Sequence, residues 1–294
     1  MNRMRKINIL LLNFATTFAF IFWGGACSDN SSNKDASNDV LDISQQENNP
    51  CNIPHDPLNP AMRMNYFDTM LPPNLNNPTL ENLMIEGFYN GDFIWLLEMT
   101  GVDDGSTDTD GKFHLYTGSG IPVGSFPDSN CFRYRNDPRW PDAEANVGIS
   151  GDDISWINGE PKINITVPVF KTDPVTHEQN LLLTLPLKDV VISSGKFNAN
   201  RTAIGAENNC ATANGGVLEG MITVEDAKNV VIQEMGLTLC GLLSGDKGTD
   251  TSNPSDDCAK PISQWPQQPD GEVNGQPAFK MSACFSATSA VIIK

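Results

Sequence analysis

The sequence predicts a mainly β chain: an antiparallel β-sandwich or barrel with one notable α-helix, linked by disulfides. Three observations predict it. Short apolar runs of strand length recur from Leu83 onward, each bounded by Gly, Asn, Asp or Pro. Several of these runs alternate apolar and polar residues with a period of two, which places one face of a strand on a core. Finally, six cysteines lie at wide spacing behind an export signal, where disulfides form and persist.

The N-terminus carries that signal. Arg3, Arg5 and Lys6 precede the apolar run Ile7–Trp23, and Gly24-Gly25-Ala26 ends it with small residues. The run is short and is interrupted by Asn8, Asn13, Thr16 and Thr17, so it suits a signal peptide (1–26) better than a membrane span. Gly24-Gly25-Ala26-Cys27 is similar to a bacterial lipobox, with Gly24 where that motif favours Leu. The same residues also fit an ordinary signal-peptidase site. The chain has seven cysteines, so lipidation of Cys27 leaves Cys51, Cys131, Cys210, Cys240, Cys258 and Cys284 as an even set for disulfides. Their pairing is left open. Spacing without a CxxC pair, with only three His in the chain, argues against zinc.

Ser28–Pro50 is rich in Asn, Ser and Asp and has little to bury, so residues 27–50 read as a lipidated cysteine followed by a disordered tether. Such a tether reaches roughly 25–30 Å. A single globular domain is expected over 51–294. Its first part, through Pro54, Pro57, Pro60, Pro72, Pro73 and Pro78, reads as extended or looped chain packed on the body.

Strands are then expected in order. Phe93–Met99 is apolar between Asn90-Gly91 and Gly101, and Trp95 within it reads as core. Lys112–Thr117 alternates through Phe113 and Leu115. Ile163–Phe170 sets Ile163, Ile165, Val167 and Val169 on one face, and Leu181, Leu183, Leu185 and Leu187 do the same in the next run. Asp189–Ser193, Ala199–Gly205, Val217–Ile222 and Ala283–Ile293 complete the set. The helix is expected over Val224–Met235, capped by Thr223 with Asp226 in capping-box position and stopped by Gly236. Ala227, Val230, Val231 and Met235 form its apolar stripe. Ser244–Asp257 and Gln264–Gly275 are polar loops.

The formal charge is −17 at pH 7, and cleavage of the basic leader makes it more negative. Such a surface repels phosphate backbones, so nucleic-acid binding is disfavoured. Asp103, Asp104, Asp108 and Asp110 crowd a Gly-bounded loop that suits calcium; an exposed acidic turn between strands is the other reading. Asp152-Asp153 reads as a turn before a strand, or as a cation site or sugar-binding rim. Trp140, between Pro138 and Pro141, is the candidate aromatic for a sugar ring or protein partner. No GxSxG, HExxH or Walker loop is present, and His114 and His177 stand apart from any nucleophile. No catalytic residue and no cofactor is therefore assigned. A hydrolytic carboxylate pair is a spatial arrangement, not a sequence motif.

Phe93-Ile94-Trp95-Leu96-Leu97-Glu98-Met99-Thr100-Gly101-Val102-Asp103-Asp104, the strand Ile163–Phe170, Gly216-Val217-Leu218-Glu219-Gly220 with Leu239-Cys240, and the Cys284-Phe285 segment carry a resemblance. Over about Phe88 to the C-terminus the chain resembles lipoproteins of myxobacteria and related lineages. The resemblance implies a β-rich surface lipoprotein and carries no activity. The functional expectation is a lipid-anchored cell-envelope module, at the outer membrane or cell surface, that binds carbohydrate or protein without catalysis. A structural part of an envelope assembly and a hydrolase with a carboxylate pair are the alternatives.

Overall fold

The computed structural model describes residues 55–76, 84, 87–88, 90–102, 111–123, 133–173, 176, 178–205, 215–248 and 254–293. The expected signal peptide, Cys27 and the expected tether lie outside the described residues. Strands dominate: β1 (Ala61–Leu71), β2 (Trp95–Thr100), β3 (Lys112–Pro122), β4 (Arg133–Asn136), β5 (Ala143–Ser150), β6 (Asp153–Trp156), β7 (Ile163–Thr172), β8 (Gln179–Lys196), β9 (Ala203–Ile204) and β10 (Gly216–Thr223). After helix α1 (Val224–Lys228) come β11 (Val231–Ile232), β12 (Leu237–Thr238) and helix α2 (Leu239–Ser244), then β13 (Gly271–Val273), β14 (Gln276–Ser289) and β15 (Val291–Ile292).

The main sheet closes on itself. Its order runs β3-β2-β1-β14-β10-β8-β6-β5, and β5 pairs back onto β3. Every one of these pairings is antiparallel. The expected choice between sandwich and barrel is thus resolved as a barrel of eight strands. A barrel of that size is just wide enough for side chains to fill. Met62, Met64, Leu97, Met99, Leu115, Val147, Ile154, Leu218 and Phe285 belong to one buried core. The void lined by Met64, Leu97, Leu115 and Leu218 is only about 10 Å³. Alternate positions on the same strands carry Glu98, Tyr116, Glu144 and Asn146, so the outer wall is polar.

β8 is longer than the barrel needs. Its second half pairs with β10 and β6, while Gln179–Val190 pairs with β7. The changeover is a bulge: β7 advances two residues from Ile163 to Ile165 while β8 runs from Val190 to Leu187. Asp189 sits in it with φ +51°. The β7–β8 hairpin then packs over the barrel end against Phe67, Leu75, Ile232 and Leu239. Pro168 and Pro186, which have no N–H to donate, lie in the two hairpin strands, where proline suits an edge. The expected face of β7 is observed. In β8 it breaks at one place: Val169 pairs with Leu183 but Phe170 with Leu181, so Leu182 is an extra residue and Leu181 turns outward.

β4 and β15 lie outside the barrel wall. β4 pairs with the end of β3, β15 pairs parallel with β4, and Ala290 N–H donates to the Ala61 carbonyl. A second small core of Ile94, Leu96, Tyr134 and Ala290, with Ile292 beside it, fixes this flap to the outer faces of β2 and β3. Arg63, buried under the flap, donates to the Tyr134 hydroxyl at 2.8 Å.

The helix expectation needs correction. Thr223 caps as expected, accepting from Asp226 N–H at 3.0 Å, but the helix ends at Lys228 with Asn229 as its C-cap. Val231-Ile232 instead pairs with Leu237-Thr238, and Gln233–Met235 is a single 3₁₀ turn ended by left-handed Gly236. The β-branched pair at 231–232 favours extended backbone over helix. Val231 is exposed, and Met235 packs on the core. Cys240 and Cys258 form a disulfide with Cα atoms 6.2 Å apart, and Cys284 is also disulfide-bonded. Cys51, Cys131 and Cys210 lie outside the described residues.

Candidate functional site

A concavity of about 660 Å³ runs along the outer barrel wall beside the flap. Register builds its floor. Glu98 on β2 pairs with Tyr116 on β3, and Tyr116 pairs with Glu144 on β5. With strands spaced by about 4.8 Å, the two carboxylate residues stand about 10 Å apart with the phenol between them. Val123, Ile292 and Ile293 form an apolar side, while Arg135, Asn136 and Asp142 form a polar end.

Asp142 is seated by its neighbours. Asn136 Nδ2 donates to its Oδ2 at 2.7 Å. Its other oxygen lies against Gly118 on β3, where any Cβ would overlap it. Burial against that strand pushes the Asp142 pKa up, the Asn136 hydrogen bond opposes this, and the Glu144 charge pushes it up further. The residue is exposed on its other side. His114 flanks the floor: Nε2 is 3.5 Å from a Glu144 oxygen, and the ring meets Tyr116 edge to face at 4.6 Å. Carboxylates and Asn136 can accept or donate to hydroxyls, and the phenol offers a flat face to C–H groups.

The loop Asp137–Pro141 leaves the groove after Asn136 and returns at Asp142. Trp140 is half-buried in it, not held outward: its ring meets Phe170 edge to face at 6.5 Å. Its indole N–H is buried and finds no hydrogen-bond partner among the described residues. The loop is held by Asp137, whose carboxylate is buried and takes a forked pair of hydrogen bonds from Arg139. The Arg139 guanidinium lies 5.0 Å from the Phe170 ring centre. Burial alone would push the Asp137 pKa up; the Arg139 hydrogen bonds and charge, with Arg135, outweigh it and hold the pKa below the usual carboxylate value.

A carboxylate with a depressed folded pKa stabilises the fold above its unfolded pKa of about 3.9, and that stability is lost as pH falls through the folded pKa. Asp246, hydrogen-bonded by Lys260, acts in the same sense. Asp137→Asn should therefore lower stability near neutrality and flatten its decline below about pH 4. Urea unfolding at a series of pH values measures this. An unchanged acid limb would remove Asp137 from the account.

The other expected sites fall elsewhere. Asp103, Asp104, Asp108 and Asp110 lie outside the described residues. Asp152 and Asp153 point to Arg201 and Lys196 at 3.9 and 3.6 Å, as a paired turn would. Trp95 is core and donates to Thr117 Oγ1 at 2.6 Å. No group of three or more metal-ligating side chains occurs among the described residues. The chain matches no protein-family model, no curated protein and no solved structure.

Proposed function

We propose that this chain is a lipid-anchored envelope protein, tethered through Cys27, whose barrel binds carbohydrate along the outer groove. The observation that carries the reading is Tyr116 between Glu98 and Glu144 on the floor of this concave surface. An aromatic face beside hydroxyl-accepting oxygens is what a sugar ring requires. The acidic groove disfavours phosphorylated or sulfated glycans.

Tyr116→Ala tests it. Tyr116 is half-buried on the outer wall, so the melting temperature should fall little, while retention on insoluble envelope polysaccharide should drop about tenfold, or roughly 1.4 kcal/mol. Equal retention of variant and wild type would overturn the groove as the site. One observation favours hydrolysis as a second reading: Asp142, its pKa raised, lies beside Glu144 in the same groove. New reducing ends that appear with wild type and vanish with Asp142→Asn, while retention persists, would select it.

A further inference from the structure

On the outer wall across β8, β10 and β14 lies a pocket of about 320 Å³, lined by residues outside the groove. Its size is at the lower end of about 300–1,000 Å³ for small-molecule sites. Two carboxylates (Asp189, Glu219), two ammonium groups (Lys162, Lys280) and the apolar Leu71 and Met221 surround it. None of the four charged side chains has an ion-pair partner among the described residues, although Lys188 close by pairs with Asp226.

The bulge in β8 supplies an independent observation. Asp189 holds a left-handed backbone, φ +51°, and its N–H donates to Asn164 Oδ1 at 3.1 Å. Glycine would serve such a bend at lower cost. Asp189 puts a carboxylate on the pocket instead, and bulges re-aim side chains at sites.

We infer that this pocket binds a small zwitterion with an apolar body, of the size of a free amino acid. Its ammonium group meets Asp189 and Glu219, its carboxylate meets a lysine, and its side chain lies on Leu71 and Met221. The inference is independent of the carbohydrate reading.

The test uses the full chain, with L-leucine, N-acetyl-leucine and leucinamide as probes in calorimetric or NMR titrations. Leucine should saturate the site, and each derivative, lacking one charge, should bind about tenfold more weakly. Asp189→Gly suits the left-handed backbone, so it should keep the melting temperature while weakening leucine about tenfold. Lys280→Met should weaken leucine but not leucinamide if Lys280 holds the carboxylate. Lys162→Met should show that pattern if Lys162 does. Tyr116→Ala should leave leucine binding unchanged. No saturable binding up to about 10 mM, equal affinity for the three probes, or no effect of Asp189→Gly would each overturn the inference.

Discussion

Phe285→Ala is expected to cost about 3–5 kcal/mol, a large part of a domain's total stability of about 5–15 kcal/mol. Phe285 is fully buried at the middle of β14, facing Gly216 on β10. Its ring occupies the space where a Cβ on residue 216 would stand. Gly216 is therefore the seat of the ring, and the two residues are coupled. Gly216→Ala in the wild type forces the ring off its rotamer and should cost about 1–3 kcal/mol. In the Phe285→Ala background the same change should stabilise, because alanine is better than glycine in a strand by roughly 0.5–1 kcal/mol and now meets empty space. Denaturant unfolding of the four proteins gives the coupling as a double-mutant cycle. Additive effects would mean that Gly216 is not the seat.

Asp257→Ala should rival it, at about 4 kcal/mol. The buried Asp257 carboxylate accepts from Thr238 N–H at 2.5 Å, from Thr238 Oγ1 at 3.1 Å and from Gly248 N–H at 2.6 Å. Removing it strands buried donors, each costing about 1–3 kcal/mol. Thr238 also caps α2 by accepting from Gly241 N–H, and Gly241 lacks the Cβ that would crowd the carboxylate. The Cys240–Cys258 bridge spans the same loop and contributes roughly 2–4 kcal/mol. Because carboxylate and disulfide close one loop, removing both should cost less than the two separate losses together. Urea midpoints of Asp257→Ala, Cys240→Ser/Cys258→Ser and the triple variant decide this. A loss below about 1 kcal/mol for Asp257→Ala would show that water replaces the carboxylate.

Local patterning made much of the barrel legible. The β7 face read directly from Ile163, Ile165, Val167 and Val169, and Thr223 announced its helix. Three features hid from it. β1 lies between the prolines at 60 and 72, whose density suggested a loop, yet the intervening residues are free of proline. β5 alternates Ala143, Ala145 and Val147 inward, and alanine gives the period little hydrophobic contrast. The helix was expected too long because Val230 and Val231 fit its stripe, although the β-branching of Val231 and Ile232 suits the short β11–β12 pair.

Most of the groove was not legible. Glu98, Tyr116 and Glu144 become neighbours only through strand register between segments far apart in the chain. Trp140 stands between Pro138 and Pro141, and its ring meets Phe170 edge to face. One local sign did exist: Glu144 and Asn146 share the outward face of a strand whose inward positions are apolar.

The position of β14 has a consequence for biogenesis. This strand joins β1 to β10, so the barrel's seam is sealed by a segment synthesised after the seven other described strands of the ring. Until it emerges, both neighbours present unpaired edges and the ring cannot shut. Pairing over such sequence distances is slow, because loop-closure entropy must be met before contacts form. Here the order of synthesis itself delays closure, so the ring stays open until its last strand arrives.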